Sequence, residues 1–514
     1  MSFLDPLYAL FLLVIIEVAW LLRQLIPQGK TRNQIQLWLF LIASIAFYAS
    51  LQWWYIPLLL IMALLNFYLG KAMEEKVSIG VQQAQDQNLS NQEWENLQQS
   101  WNRKATNILI LGIVANILVL VAFKYLPFLL NSFAASFNSA SASENASWLS
   151  KNLLAPLGIS FFTFECIAYL VDISRGSKAS RSLLQFTSYK LFFPKLISGP
   201  ITRYHELAKQ FNSDQTPVIN DYIEGFWLIA LGAVKKALVA DRLGIFVDLC
   251  FGNLERAGSG DLWLAIIAYG LQLYFDFSGY VDLARGSAML LGFNLPENFN
   301  YPYFSTSIAD FWRRWHMTLG DWLRNYLYFP LGGSRQGLGR TCLNLLLVML
   351  IAGIWHGAAW GYVVWGGLHG FALAIHRLTD TISKEVEGLT VWWKSWPGMV
   401  MAWLLTQLMV FTSWIFFRLP DLRQAGLVIG HLWNYSGDVQ FAQKVYGEAI
   451  GLGQYQVSVL ITLIFVAMAI AYSIQQGLQL RLNWPIKLLF APICLLGVWL
   501  LAPEGGLPYI YFDF

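Results

Sequence analysis

The sequence predicts an all-α polytopic membrane protein of about 11–12 transmembrane helices, with re-entrant and interfacial helices between them, in a single integral-membrane domain over residues 1–514. Three observations carry this. Of the 514 residues, 56% are hydrophobic and only 13% charged, against about 25% charged in soluble domains. Several apolar runs exceed about 18 residues, enough to cross a bilayer as helix. The alternating ten-residue segments of a membrane β-barrel do not occur.

The elements follow in chain order. The run Leu7 to Leu22 has no basic residue before it and no small-residue cleavage site after it. It reads as a first membrane helix at 6–26, not a removed signal peptide. Helices are expected next at 36–50 and 53–70. Residues 71–105, rich in Gln, Asn and Glu, form a polar insert expected as a solvated, amphipathic or partly helical connector on the cytoplasmic side, since such a composition cannot bury a core. A helix at 106–130 completes the N-terminal section, 1–130, and the Ser/Ala/Asn-rich residues 131–150 read as a linker. The helix at 153–173 carries Glu165, which at membrane depth needs a partner or a raised pKa. In Phe192–Ile201 two prolines and a glycine break any spanning helix, so this run is expected as a re-entrant or interfacial element covered by protein or lining a cavity. Helices at 222–250, interrupted by Lys235, Lys236, Asp241 and Arg242, and at 262–283 lead to residues 284–340, too polar for one span and too apolar to float free. Further helices are expected at 341–357, 359–377, 396–417, 456–475 and 485–502. The segment 150–420 is the expected catalytic core, and 421–514 supplies C-terminal helices and a tail.

Basic residues orient the chain. Residues 174–220 hold seven Lys or Arg and two acidic residues, whereas no Lys or Arg lies between Lys124 and Lys151. The first segment is therefore assigned to the cytoplasm and 131–150 to the outside. Counting spans places both termini outside the cell, in a bacterial inner or plasma membrane. The lipid bilayer is the first partner. The charge pattern gives no support for nucleic acid, and the four scattered cysteines, Cys166, Cys250, Cys342 and Cys494, have no metal-site spacing and read as small hydrophobes. No internal repeat of the transporter kind is visible.

Chemistry concentrates in 310–370. The uncharged stretch between Arg340 and Arg377 embeds His356 in Gly353-Ile354-Trp355-His356-Gly357-Ala358. A neutral imidazole there suits a general base, and a core histidine bonded to a carbonyl is the competing reading. His316 closes Asp310-Phe311-Trp312-Arg313-Arg314-Trp315-His316. Guanidinium forks suit phosphates and indoles can stack on a flat base, while an interfacial amphipathic helix with snorkelling arginines explains the same residues. Asp276, Asp282 and Asp310 are candidates to orient a histidine or, equally, to pair with arginines. His369 and His376 read as structural. The tail holds Tyr511, either an acyl relay through its hydroxyl or an aromatic anchor at the membrane surface.

Taken together, Pro156–Tyr169, Phe193–Arg203, Tyr274–Gly292, Asp310–His316, Trp322–Gly333, Trp355–Ala358 and Trp365–Gly370 resemble the membrane-bound O-acyltransferases, on the branch of the bacterial alginate O-acetyltransferases and D-alanyl-lipoteichoic-acid transferases. The resemblance implies a helical bundle with a tunnel through it. It also implies an embedded catalytic histidine that matches His356 and a second position, often His or Asn, that matches His316. It implies transfer of an acyl group from a cytoplasmic thioester outward, with acetyl-CoA as donor and no metal, toward a polysaccharide, with an extracytoplasmic esterase-like acetyltransferase as partner. On this reading His356 is the base, and His316 with Arg313, Arg314, Trp312, Trp315, Trp355, Asp310 and Asp276 holds or polarises the donor. Three rivals stand beside it: D-alanyl transfer from a carrier-protein thioester to teichoic acid, a transporter or lipid flippase, and a catalytically dead scaffold.

Overall fold

A computed structural model describes residues 3–86, 91–212, 217–480 and 482–512, with the side chains of 78–101 and 212 outside the description. The described residues are all-α, and the only extended pairing among them is an isolated antiparallel bridge between Phe299 and Trp315. The chain is an integral, multi-pass membrane protein. Among the described residues, seven helical runs are long and apolar enough to cross a membrane, and one of them, Lys30–Val77, joins two expected spans. A helix also lies at each of the four remaining expected spans. These four are short or carry charges, and buried or half-buried charges on three of them, Glu165, Lys235, Lys236, Asp276 and Asp282, are paired within the protein, which relaxes the need for an apolar composition.

Contacts divide the chain into two compact units, Met1–Gly225 with Ser287–Pro296, and Phe226–Gly286 with Glu297–Phe514. The first unit contains α1 (Pro6–Leu25), α2 (Lys30–Gln52), α3 (Ile56–Asp86), α4 (Asn91–Leu120), α5 (Leu126–Phe137), α6 (Ala140–Asn152), α7 (Ile159–Ser174), α8 (Leu183–Leu191) and α9 (Tyr204–Asn212). Asp5 caps α1 by accepting from the Leu7 N–H, and Pro6 sits at its first turn, where the missing N–H costs nothing. Buried Asn66 on α3 and Asn116 on α4 exchange amide hydrogen bonds of 3.1 and 2.8 Å, a polar clamp between apolar helices. The insert 71–105, expected as partly helical, is covered by α3 as far as Asp86 and by α4 from Asn91; residues 87–90 of it lie outside the described residues. One expectation changes: the linker 131–150 is mostly helical, within α5 and α6, where alanines favour helix and Ser139 caps α6 by accepting from the Ala142 N–H.

Glu165 on α7 finds its partners within this unit. It accepts from Lys195 Nζ at 2.6 and 2.7 Å, from Lys190 Nζ at 3.2 Å and from the Thr202 N–H and hydroxyl at 3.2 and 3.0 Å. These bonds pin the non-helical run 192–203, which is almost wholly buried, as irregular backbone at membrane depth must be.

The second unit begins in α10 (Ile219–Ala233), which continues through a π-helical stretch, Val234–Ala240, into α11 (Asp241–Phe251), followed by α12 (Ser259–Leu290). A Cβ on Gly232 would sit 2.6 Å from the Gly279 carbonyl oxygen, and one on Gly279 2.9 Å from that of Gly232. Only glycine lets the two backbones meet. That contact sets Lys235 against Asp282 and Lys236 against Asp276, each at 2.6 Å. The polar segment that follows folds into short helices, α13 (Ile308–Arg314) and α14 (Met317–Leu323). Beyond them come α15 (Leu338–His356), α16 (Trp360–Glu385), α17 (Glu387–Lys394), α18 (Trp396–Arg418), α19 (Leu422–His431), α20 (Val439–Ala442), α21 (Gln454–Tyr472) and α22 (Trp484–Leu501). Residues 502–512 then fold back among α11, α12 and α15.

Candidate active site

His316 follows Trp315 in the two-residue join between α13 and α14, in the left-handed conformation at φ 45° and ψ 55°. A non-glycine residue there is uncommon, and surrounding structure must hold it. It is held by a short pairing of 298–300 with 314–317. The Met317 N–H donates to the Asn298 carbonyl at 3.0 Å, the Asn300 N–H donates to the Arg314 carbonyl at 2.9 Å, and Phe299 bridges Trp315. The Asn298 side-chain oxygen accepts from the Thr318 N–H and hydroxyl, each at 3.0 Å, and meets His316 Nδ1 at 3.3 Å. An oxygen can only accept, so Nδ1 carries the proton and Nε2 is the acceptor nitrogen of the ring. Burial pushes the His316 imidazole down to about 3, so it is neutral at pH 7.

His356 is the last residue of α15. Its ring lies 4.8 Å from Trp355, 5.0 Å from Trp365 and 5.1 Å from Phe417, each edge to face. Trp355 lies in turn 6.2 Å from His316. The gap between the two histidines is filled by Tyr511. Its ring stacks on Phe277 at 3.9 Å and lies 6.0 Å from the His356 ring and 6.1 Å from the His316 ring. His316, His356 and Tyr511 are 1%, 2% and 5% exposed. The anchor reading of the tail is therefore set aside: the tyrosine is inside the protein. Burial holds its phenol well above the ordinary value, so it is a hydroxyl and not a phenolate.

Buried charges hold the tail in place. Asp276 accepts from the Ile510 N–H at 2.9 Å and from Lys236 at 2.6 Å. Lys236 also pairs with Asp241 at 2.8 Å and donates to the Pro508 carbonyl at 3.1 Å, and its ammonium lies 4.6 Å from the centre of the Tyr509 ring. Arg242 donates to the Leu501 carbonyl at 2.6 Å where the tail begins.

The remaining sequence candidates disperse. None of the three aspartates offered as orienting groups reaches a histidine: Asp276 and Asp282 pair with lysines, and Asp310 pairs with Arg314 at 2.9 Å. Arg313 is exposed on α13, and Trp315 is buried core, 5.2 Å from Trp414. Trp312 donates through Nε1 to His369 Nδ1 at 3.3 Å, and His369 Nε2 bonds Ser413 Oγ at 2.9 Å, so His369 is a neutral, satisfied residue of the site wall. Sequence reasoning missed Asn298, Phe277 and Lys236. Asn298 lies 18 positions from His316 in a segment with no periodic pattern, and Lys236 reads locally as a helix interruption. Among the described residues no group of three His, Cys, Asp or Glu side chains is arranged to hold a metal.

Residues 114–417 match the profile of the membrane-bound O-acyltransferase family. The chain is 34% identical to a probable alginate O-acetylase of Pseudomonas putida, over 93% of this chain and 94% of that protein. It is 34% identical to a peptidoglycan O-acetyltransferase of Helicobacter pylori, over 83% and 79%. With a teichoic acid D-alanyltransferase of Bacillus subtilis the identity is 28%, over 46% of this chain and 63% of the relative.

Proposed function

We infer the reaction from the premise that this chain belongs to the membrane-bound O-acyltransferase family and is an O-acyltransferase: it takes an acetyl group from acetyl-CoA on the cytoplasmic side and delivers it to hydroxyls of a cell-envelope or secreted polysaccharide. An extracytoplasmic esterase-like acetyltransferase completes the delivery, and the enzyme sits in a bacterial inner or plasma membrane with both termini outside. The names of the similar proteins, which join acyl transfer to alginate, peptidoglycan and teichoic acid, support a polysaccharide as the final acceptor.

The observation that carries the mechanism is a buried tyrosine hydroxyl between two buried histidines. His356 removes the Tyr511 proton as the oxygen attacks the thioester carbonyl carbon. The C–S bond breaks, the proton passes to the departing thiolate, and Tyr511 holds the acetyl as an ester. An acceptor hydroxyl then attacks that ester. Its proton passes to a histidine and from there to the departing Tyr511 oxygen, which restores the phenol. His316 suits this second proton better than it suits polarising a carbonyl, because a neutral ring that donates through Nδ1 to Asn298 offers only an acceptor at Nε2. Arg313, exposed on α13, is the residue we assign to the donor's phosphates, beside Arg314 with its Asp310 partner. Trp312, Trp315 and Trp355 shape the walls.

An acetyl group fits this surround better than D-alanyl. A D-alanyl ammonium calls for a carboxylate, and Asp276, beside the tail, is already held by Lys236 and the Ile510 N–H.

The test is transfer by the purified protein in nanodiscs with radiolabelled acetyl-CoA, with and without a polysaccharide acceptor. Wild type releases coenzyme A and, without acceptor, accumulates label on a peptide containing Tyr511. His356→Ala lowers release by at least about 100-fold, the scale of a lost general base. Tyr511→Phe yields no labelled peptide. Full cellular acetylation by Tyr511→Phe sinks the relay, and release that ignores His356 sinks the assignment of the base.

A further inference from the structure

The first unit holds a polar cleft that the transfer chemistry does not use. It is small and open to solvent, where the end of α1, the start of α2 and α9 meet residues 291–293. Its polar lining is Arg23, Asn33, Gln36 and Gln210, over a floor that includes Phe40 and Phe293, whose rings pack edge to face at 5.3 Å. No carboxylate lines it among the described residues.

The half-buried Arg23 guanidinium donates to the Leu291 carbonyl at 3.0 Å and bonds the Tyr222 hydroxyl, both neutral groups. It lies close enough to the buried Arg32 for the two cations to repel. The Gln36 amide nitrogen is buried and has no hydrogen-bond partner. Gly292 at φ 95° keeps the rim open, since a Cβ there would lie 3.3 Å from the Arg23 guanidinium and 3.2 Å from Pro217. Two neighbouring cations, an unanswered amide donor and a small open space match one ligand chemistry: a tetrahedral anion with several acceptor oxygens. The charge pattern of the sequence puts this end of α1 and α2 on the cytoplasmic face, at headgroup level.

We propose that the cleft lined by Arg23, Asn33, Gln36 and Gln210 binds a phosphate ester. A phospholipid headgroup and a soluble phosphate offer the same oxygens, and the experiment separates them. The full-length protein, purified in detergent, is titrated with phosphatidylglycerol, with monoglucosyl diacylglycerol of the same acyl chains, and with glycerol 1-phosphate or inorganic phosphate. Bound lipid is read by native mass spectrometry and the soluble ligands by thermal shift. Wild type is compared with Arg23→Gln and Gln36→Leu. Phosphatidylglycerol retained by wild type over the glucolipid, and weakened on the order of tenfold in both variants, assigns the site to a lipid headgroup. A thermal shift with glycerol 1-phosphate or phosphate that both variants lose assigns it to a soluble ligand. Equal binding by wild type and both variants, or no preference for phosphate in any arm, overturns the proposal. Gln36→Leu leaves the Arg23 contacts in place, so the test stands if Arg23→Gln fails to fold.

Discussion

His316 shows how much a single residue depends on what surrounds it. Its backbone sits in a region that side chains rarely adopt, its Nδ1 proton is directed to Asn298, and its ring is sealed between Phe277, Trp355 and Tyr511. Sealing removes water from the charged form, which is why the imidazole titrates near 3 and not near 6.5. A folded-state value below the unfolded one means that the stabilisation is complete above pH 6.5 and is lost as pH falls toward 3. The thermal midpoint of the purified protein should therefore drop as pH falls below about 6.5, with this one group contributing at most about 1.4 kcal/mol per pH unit. His316→Gln, which keeps a side-chain N–H donor and cannot titrate, should show a flatter acid limb in differential scanning fluorimetry. An acid limb identical in the two proteins removes His316 as the cause. The histidines were legible in the sequence because an ionisable residue inside an uncharged run has few structural excuses. Asn298 was not, because nothing local ties an asparagine before α13 to a ring 18 positions later.

At the scale of elements, close backbone contact does the positioning. A Cβ on Gly353 would come within 2.3 Å of the Tyr362 carbonyl oxygen and 3.1 Å of the Gly366 Cα, so α15 and α16 touch backbone to backbone one turn before His356. Gly339, near the start of the same helix, would meet nothing within 4 Å. Gly353→Ala should push the helices apart, displace His356 and lower turnover by about 100-fold, since misplacing a catalytic group by about 1 Å costs that much. Gly339→Ala should leave turnover unchanged and raise stability slightly. The pair is compared in one coenzyme A release assay, and equal activity of the two refutes the positioning role. A second element, the tail, depends on Lys236. Lys236→Met strands Asp276 and Asp241 without their cation, a loss of about 3–5 kcal/mol for a broken buried pair. It should free residues 502–512, so that a cysteine placed at Leu507 reacts with a thiol reagent much faster than in the unaltered background. The helices themselves were legible from apolar runs. What joins them was not, because Lys235 and Lys236 read as interruptions of one helix and Asp276 and Asp282 as partners for histidines or arginines, and only the Gly232–Gly279 crossing reveals them as pairs.

At the scale of the whole molecule, the question is from which side each substrate arrives. Under the orientation proposed from the charge rule, with the basic segment 174–220 cytoplasmic, 131–150 and 502–512 lie on the opposite face. A relay through Tyr511 then has a vectorial consequence that a transfer confined to one side lacks. On that proposed orientation donor enters from the cytoplasm, and the acetyl leaves from the face where the tail begins at Leu501, tied to Arg242. Sealed vesicles of opposite orientation separate these events. Everted vesicles given labelled acetyl-CoA outside should release coenzyme A into that compartment and deposit label on polysaccharide trapped in the lumen. Right-side-out vesicles given the same donor outside should release none until they are permeabilised. Tyr511→Phe in everted vesicles should lose the lumenal label. If both orientations use external donor equally, the vectorial reading fails while the acyl transfer itself stands, because release that still requires His356 is measured in the same tubes.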